Sequence, residues 1–123
     1  MAVATVFAAV YVPLVSSLSA CDGNDKPNAD RQQALAIAPT LTPADASLAN
    51  LYKQSCKACH AVEGSGAPLV HDRTQWDARW NKGLSTLVQS VVTGINGMPA
   101  GGQCFACTAQ DYEALIKFLA DRE

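Results

Sequence analysis

Cys56-Lys57-Ala58-Cys59-His60 places two thiols and an imidazole on about one turn of backbone. Residues three and four apart share a face of a helix, so a helix through this stretch presents both sulfurs on one side with the ring next in line. Three chemistries use such a cluster: a zinc site, a thiol redox pair, and a covalently attached haem. Each asks for a different chain around it.

The chain has 123 residues, a length that fits one small domain. Nine basic and eleven acidic side chains give a formal charge of -2, and charged residues are only 16% of the whole. The basic residues are scattered, so there is no footprint for a nucleic acid. The N-terminus is different in kind. Met1 to Cys21 carries no charged side chain and ends in small residues, as an export signal does. About 18 uncharged apolar residues can also cross a bilayer, so an uncleaved anchor is one alternative, although Pro13, Ser16, Ser17 and Ser19 interrupt the run. Ordinary signal cleavage needs small residues at the first and third positions before the cut, and Leu18 is too large for the third.

Leu18-Ser19-Ala20-Cys21 resembles the lipobox of bacterial lipoproteins, in which the cysteine is lipidated and becomes the new N-terminus. That resemblance implies a signal over residues 1–20, a flexible tether over 21–41 and a folded domain over 42–123. It implies a lipid anchor at Cys21 on the periplasmic side of the bacterial inner membrane, with Asp22 resembling an inner-membrane retention signal. A soluble periplasmic protein is the other alternative. Outside the cytosol disulfides persist, and with Cys21 lipidated the remaining four cysteines form two pairs, Cys56/Cys59 and Cys104/Cys107.

The tether reading rests on the polar, turn-forming first half of "DGNDKPNADRQQALAIAPTL"; "RQQALAIA" can form a short turn of helix, bounded by Pro39 and Pro43. Fully extended it would reach about 65–70 Å. Thr42 as N-cap, Pro43 at the first helical position and Asp45 three after the cap predict the next helix. Leu48, Leu51, Tyr52 and Ser55 share its face, and it delivers the cysteine cluster at its end. Gly64, Gly66 and Pro68 mark a loop; Trp76 and Trp80 mark a short helix. Leu84, Leu87, Val88, Val91 and Val92 recur at helical spacing until Gly94, and Asn96-Gly97 is a turn. Thr108 and Asp111 make a capping box, followed by the stripe Tyr112, Leu115, Ile116 and Leu119. With no β-alternation, the class is all-α, four to five short helices. About 80 folded residues give a thin core, which a large apolar cofactor would fill.

C-x-x-C-H is the spacing of c-type haem attachment, with the histidine as one axial ligand. Met98-Pro99 in a glycine-rich loop offers a thioether for the other side of the iron, and His71 is its rival. Zinc would draw on all four cysteines and leave His60 idle. Cys104-Phe105-Ala106-Cys107 precedes a helix as a redox pair does, but no βαβ pattern surrounds it. A local disulfide tying the Met98 loop to the last helix is the other reading of this pair.

Residues 42–123 resemble a class I c-type cytochrome, and closely the cytochrome c5 family. The matching pieces are "CKACH", "GSGAPLV", Trp76 with "GLSTLVQSVVTGINGMPAGGQC", and "CFAC" leading into "TAQDYEALIKFL". The resemblance implies one covalent haem c on Cys56 and Cys59, iron held by His60 and Met98, and a Pro68 carbonyl that takes the second ring nitrogen of His60. It implies that Trp76, Trp80 and Arg79 line the haem crevice or meet a propionate. It implies a monomeric electron carrier rather than an enzyme, serving a reductase and an oxidase. A sensor or peroxidase-like domain with a labile sixth ligand, and a haem subunit of a larger respiratory complex, are the competing functions. Ala100-Gly101-Gly102 stand where the family loop often carries a second proline or a basic residue.

Overall fold

The computed structural model describes Met1 and residues 26–122. The signal segment and Cys21 lie outside the described residues. The elements are α1 (Lys26–Ile37), α2 (Ala46–Leu51), a π-helical turn (Tyr52–Cys56), α3 (Lys57–His60), α4 (Arg73–Trp80), α5 (Leu84–Thr93), a 3₁₀ turn (Ala100–Gln103) and α6 (Ala109–Leu119). Among the described residues the only β-type pairing is the isolated bridge between Ile95 and Met98. The all-α expectation holds. None of the described helices is long and apolar enough to cross a membrane.

The flexible-tether expectation for 21–41 fails where the structure describes that segment. α1 is a helix docked on the domain, with Ala34 and Ala38 fully buried. Arg31 Nη1 donates to Asp72 Oδ2 at 3.0 Å, and Nη2 reaches Glu63 at 3.4 Å. "RQQALAIA" is rich in strong helix formers, and buried Ala34, with Ala38 just past the helix end, lets the backbone approach α4 closely. Asp72 is itself completely buried. Its carboxylate also accepts from Thr74 N, Thr74 Oγ1 and Gln75 Nε2, so it caps α4 and holds α1 at once.

The cap of α2 is also corrected. Asp45, not Thr42, is the N-cap, accepting from Leu48 N at 2.8 Å. Aspartate is the stronger cap. The helix then widens at Tyr52–Cys56, where Lys57 N–H bonds the Tyr52 carbonyl five residues back. Such π turns shift the register of everything after them and recur at functional sites; here the shift falls directly before the cysteine motif.

Tyr52, Leu69, Val70, Trp76, Leu115 and Leu119 form the buried cluster. Tyr52 meets Phe118 edge-on at 5.0 Å, so the arm that carries the cysteines crosses the C-terminal helix. α6 begins with the Thr108/Asp111 capping box and buries Leu115, Ile116 and Leu119. α5 ends at Gly94 (φ 79°), and of its apolar stripe only Leu87 is buried, with Val92 48% exposed.

Candidate functional site

Cys56 closes the π turn and Cys59 lies in α3; both are free thiols, the first half-buried and the second exposed. Burial pushes the Cys56 thiol up to about 11, and Cys59 adds to the rise. The site therefore favours an uncharged sulfur at position 56.

His60 follows at the end of α3, with only 8% of its surface exposed. Its Nδ1 lies 2.8 Å from the Pro68 carbonyl. A carbonyl can only accept, so Nδ1 carries the proton and Nε2 keeps its lone pair. The His60 carbonyl takes Val70 N–H at 2.7 Å, which closes the glycine-containing loop back on the motif. Trp76 stacks on the imidazole at 6.0 Å and 28°, and is itself held by Nε1 donating to the Leu69 carbonyl at 2.8 Å. Burial holds the His60 pKa below the ordinary imidazole value; the Pro68 bond opposes this and the Arg79 charge adds to it. The ring is thus neutral, fixed in tautomer and fixed in plane, which is the form a metal accepts.

Met98 lies on a separate segment. After Gly94 the chain makes a tight turn in which Ile95 and Met98 exchange backbone bonds of 3.0 and 2.9 Å. Asn96 takes the positive φ of 52°. Pro99 leads into the 3₁₀ turn, and Cys104 and Cys107 are joined by a disulfide. The 3₁₀ turn packs against the π turn that ends in Cys56, so the Met98 loop and the cysteine motif are neighbours through these two turns. The described hydrogen bonds and ring contacts of His60 run to Pro68, Val70 and Trp76. His71 is engaged elsewhere, edge-on to Phe118 at 5.3 Å and 3.9 Å from Asp121. Trp80 is half-buried under the Arg122 guanidinium at 5.8 Å, and Arg79 is exposed with its Nη1 on the Gln75 carbonyl.

The disulfide removes two of the four thiolates a zinc tetrad would need. Among the described residues no group of three or more His, Cys, Asp and Glu side chains is arranged to hold a metal ion. Two site features escaped sequence reasoning. One is the π turn, which leaves no mark on apolar periodicity. The other is the Tyr112 hydroxyl, which bonds the carbonyls of Gly101 and Cys104.

A family model described as "Cytochrome C oxidase, cbb3-type, subunit III" matches residues 43–119. Cytochrome c5 of Ectopseudomonas mendocina is 30% identical over 73 residues, 58% of this chain and 84% of the relative. Cytochrome c5 of Azotobacter vinelandii is 35% identical over 63 residues, 50% of this chain and 76% of the relative. The chain is a class I c-type cytochrome of the cytochrome c5 family, within the group that family model describes. Cytochrome c-555 of Chlorobaculum tepidum is 40% identical over 55 residues, 42% of this chain and 51% of the relative.

A member of the cytochrome c5 family carries haem c covalently, and the residues here fit it. The sequence holds a single C-x-x-C-H. Both of its thiols are free, and its histidine offers one nitrogen while the other is occupied. One such motif makes this cytochrome c5 relative a monohaem electron carrier.

Proposed function

We propose that this cytochrome is a membrane-tethered periplasmic carrier that passes single electrons between a reductase and an oxidase of a respiratory chain. In this reading Cys56 and Cys59 would hold haem c through thioether bonds, and His60 Nε2 and Met98 Sδ would ligate its iron. Bound there, haem c supplies a one-electron iron couple whose potential a methionine ligand raises. The observation that carries the assignment is the His60 Nδ1 contact with Pro68 at 2.8 Å, which leaves Nε2 as the only free donor of a buried, neutral ring. Pro68 and Trp76 hold the imidazole plane, and Cys104–Cys107 holds the far end of the methionine loop.

Cys21 bears the lipid in this reading, and residues 1–20 are the signal. Only residues 22–25 separate Cys21 from the first turn of α1, a reach of about 15 Å at full extension. The carrier is therefore held close to the bilayer, which raises its effective concentration at membrane-bound partners. The description of the matching family model favours a second reading, a haem-bearing subunit of a cbb3-type oxidase.

One purification separates these. The full chain and its Cys21→Ala variant are solubilised from native membranes in mild detergent and weighed intact. The proposal predicts a wild-type mass that starts at Cys21 and includes lipid, a variant without lipid, and migration as a monomer. A wild-type chain that begins at Met1 without lipid overturns the anchor, and co-migration with a larger haem complex supports the second reading.

A further inference from the structure

No residue of the segment 95–103 is fully buried. Four of them, Asn96, Gly101, Gly102 and Gln103, take positive φ values of 52°, 70°, 55° and 63°. Apart from the Ile95–Met98 pair, the turn is closed by Gly102 N–H to Pro99 O and Cys104 N–H to Gly101 O, both at 2.9 Å. A segment like this keeps one shape only if something rigid holds its ends.

Tyr112 and Gly94 stand at those ends. Tyr112 is on the first turns of α6, and its Oη lies 3.1 Å from Gly101 O and 3.0 Å from Cys104 O. Both carbonyls already accept a backbone N–H, from Cys104 and Cys107 respectively. The single phenolic proton is shared between their second lone pairs. The hydroxyl approaches so closely that a Cβ on Gly101 would sit 3.2 Å from it. At the other end, a Cβ on Gly94 would meet Met98 O and Ala100 N at 2.9 Å. The loop backbone runs directly over Gly94, the first residue beyond α5.

We infer that Tyr112 and Gly94 are positioning residues for Met98, clamping the two ends of its loop to α6 and α5. This rests on the reading of Met98 as an axial ligand. The clamp holds the methionine sulfur at the site and resists its replacement by an outside ligand.

The test uses the full holoprotein in its ferric state. Tyr112→Phe removes one oxygen and keeps the ring. Losing a hydrogen bond of ordinary strength raises the open fraction of the loop about three- to tenfold. Apparent imidazole affinity should rise by the same factor, and the Cys104 amide should exchange hydrogen faster. Tyr52→Phe, which deletes a phenol oxygen with no partner in the loop, should leave both readouts unchanged. A purely structural role for Tyr112 would lower the melting temperature without moving imidazole affinity. If wild type shows the near-infrared band of an iron–methionine bond and Tyr112→Phe binds imidazole as wild type does, the clamp is wrong. If wild type lacks that band, the ligand reading falls and the inference with it.

Discussion

Tyr52 is fully buried, and its hydroxyl has no hydrogen-bond partner among the described residues. Burial, with Cys56 adding to it, pushes its pKa from the ordinary 10.0 up to about 12. An unmade buried hydrogen bond costs about 1–3 kcal/mol. Tyr52→Phe keeps the edge contact with Phe118 and removes that cost. Thermal unfolding should show equal or higher stability, and a clear loss would mean the hydroxyl has a partner. The pH sign follows from the raised pKa. The fold favours the neutral phenol, so its full contribution is present below pH 10 and is lost as pH climbs toward about 12. The variant should lose that alkaline limb. At this scale His60 was the most legible residue, because its role is written into five contiguous positions. The partner of its ring nitrogen depended on the resemblance, since Pro68 reaches it only after the loop folds back.

The existence of α4, the end of α5 and the start of α6 could be read locally, because each signal acts within about one turn: the tryptophan pair, Gly94, and Thr108 with Asp111; the Asp72 cap of α4 was not read. α1 could not. Its stability comes from buried Ala34 and Ala38 and from the Arg31–Asp72 ion pair, all made across the fold. Composition made that stretch look like a linker with at most a short helical turn at "RQQALAIA". The Asp45 cap was missed because Thr42-Pro43 offered a second, weaker start three residues earlier. The capping box of α6 carries a pH dependence. Bonds from Thr108 N–H and Oγ1–H hold the Asp111 carboxyl below its ordinary pKa. A depressed carboxyl pKa means the cap contributes fully above the ordinary carboxylate range and is lost as pH falls through the folded value. Stability followed by circular dichroism should therefore fall more steeply in wild type as pH drops below the ordinary carboxylate range, and Asp111→Asn, less stable at neutral pH, should lose that part of the dependence. An unchanged acid limb in the variant would refute the cap's role.

Across the whole molecule, one buried cluster joins the cysteine arm, the Trp76 helix and the C-terminal helix, and α1 is stitched to it. The domain is small for a self-standing core, and in the proposed reading the motif at Cys56–His60 is also the place where a large apolar group would attach. That half of the site was legible because its ligand types are adjacent in the chain. In the methionine half Met98-Pro99 was legible as a candidate ligand, but the shape of its loop was not. What fixes it is a hydroxyl from α6, a close pass over Gly94 and a disulfide, and none of these is a local pattern around Met98. The central claim is that His60 and Met98 hold one covalently attached haem iron. The most direct test is the near-infrared spectrum of the ferric protein, wild type against Met98→Ala. The band of an iron–methionine sulfur bond should be present in wild type and absent from the variant. A wild type without the band, or a variant that retains it, contradicts the account.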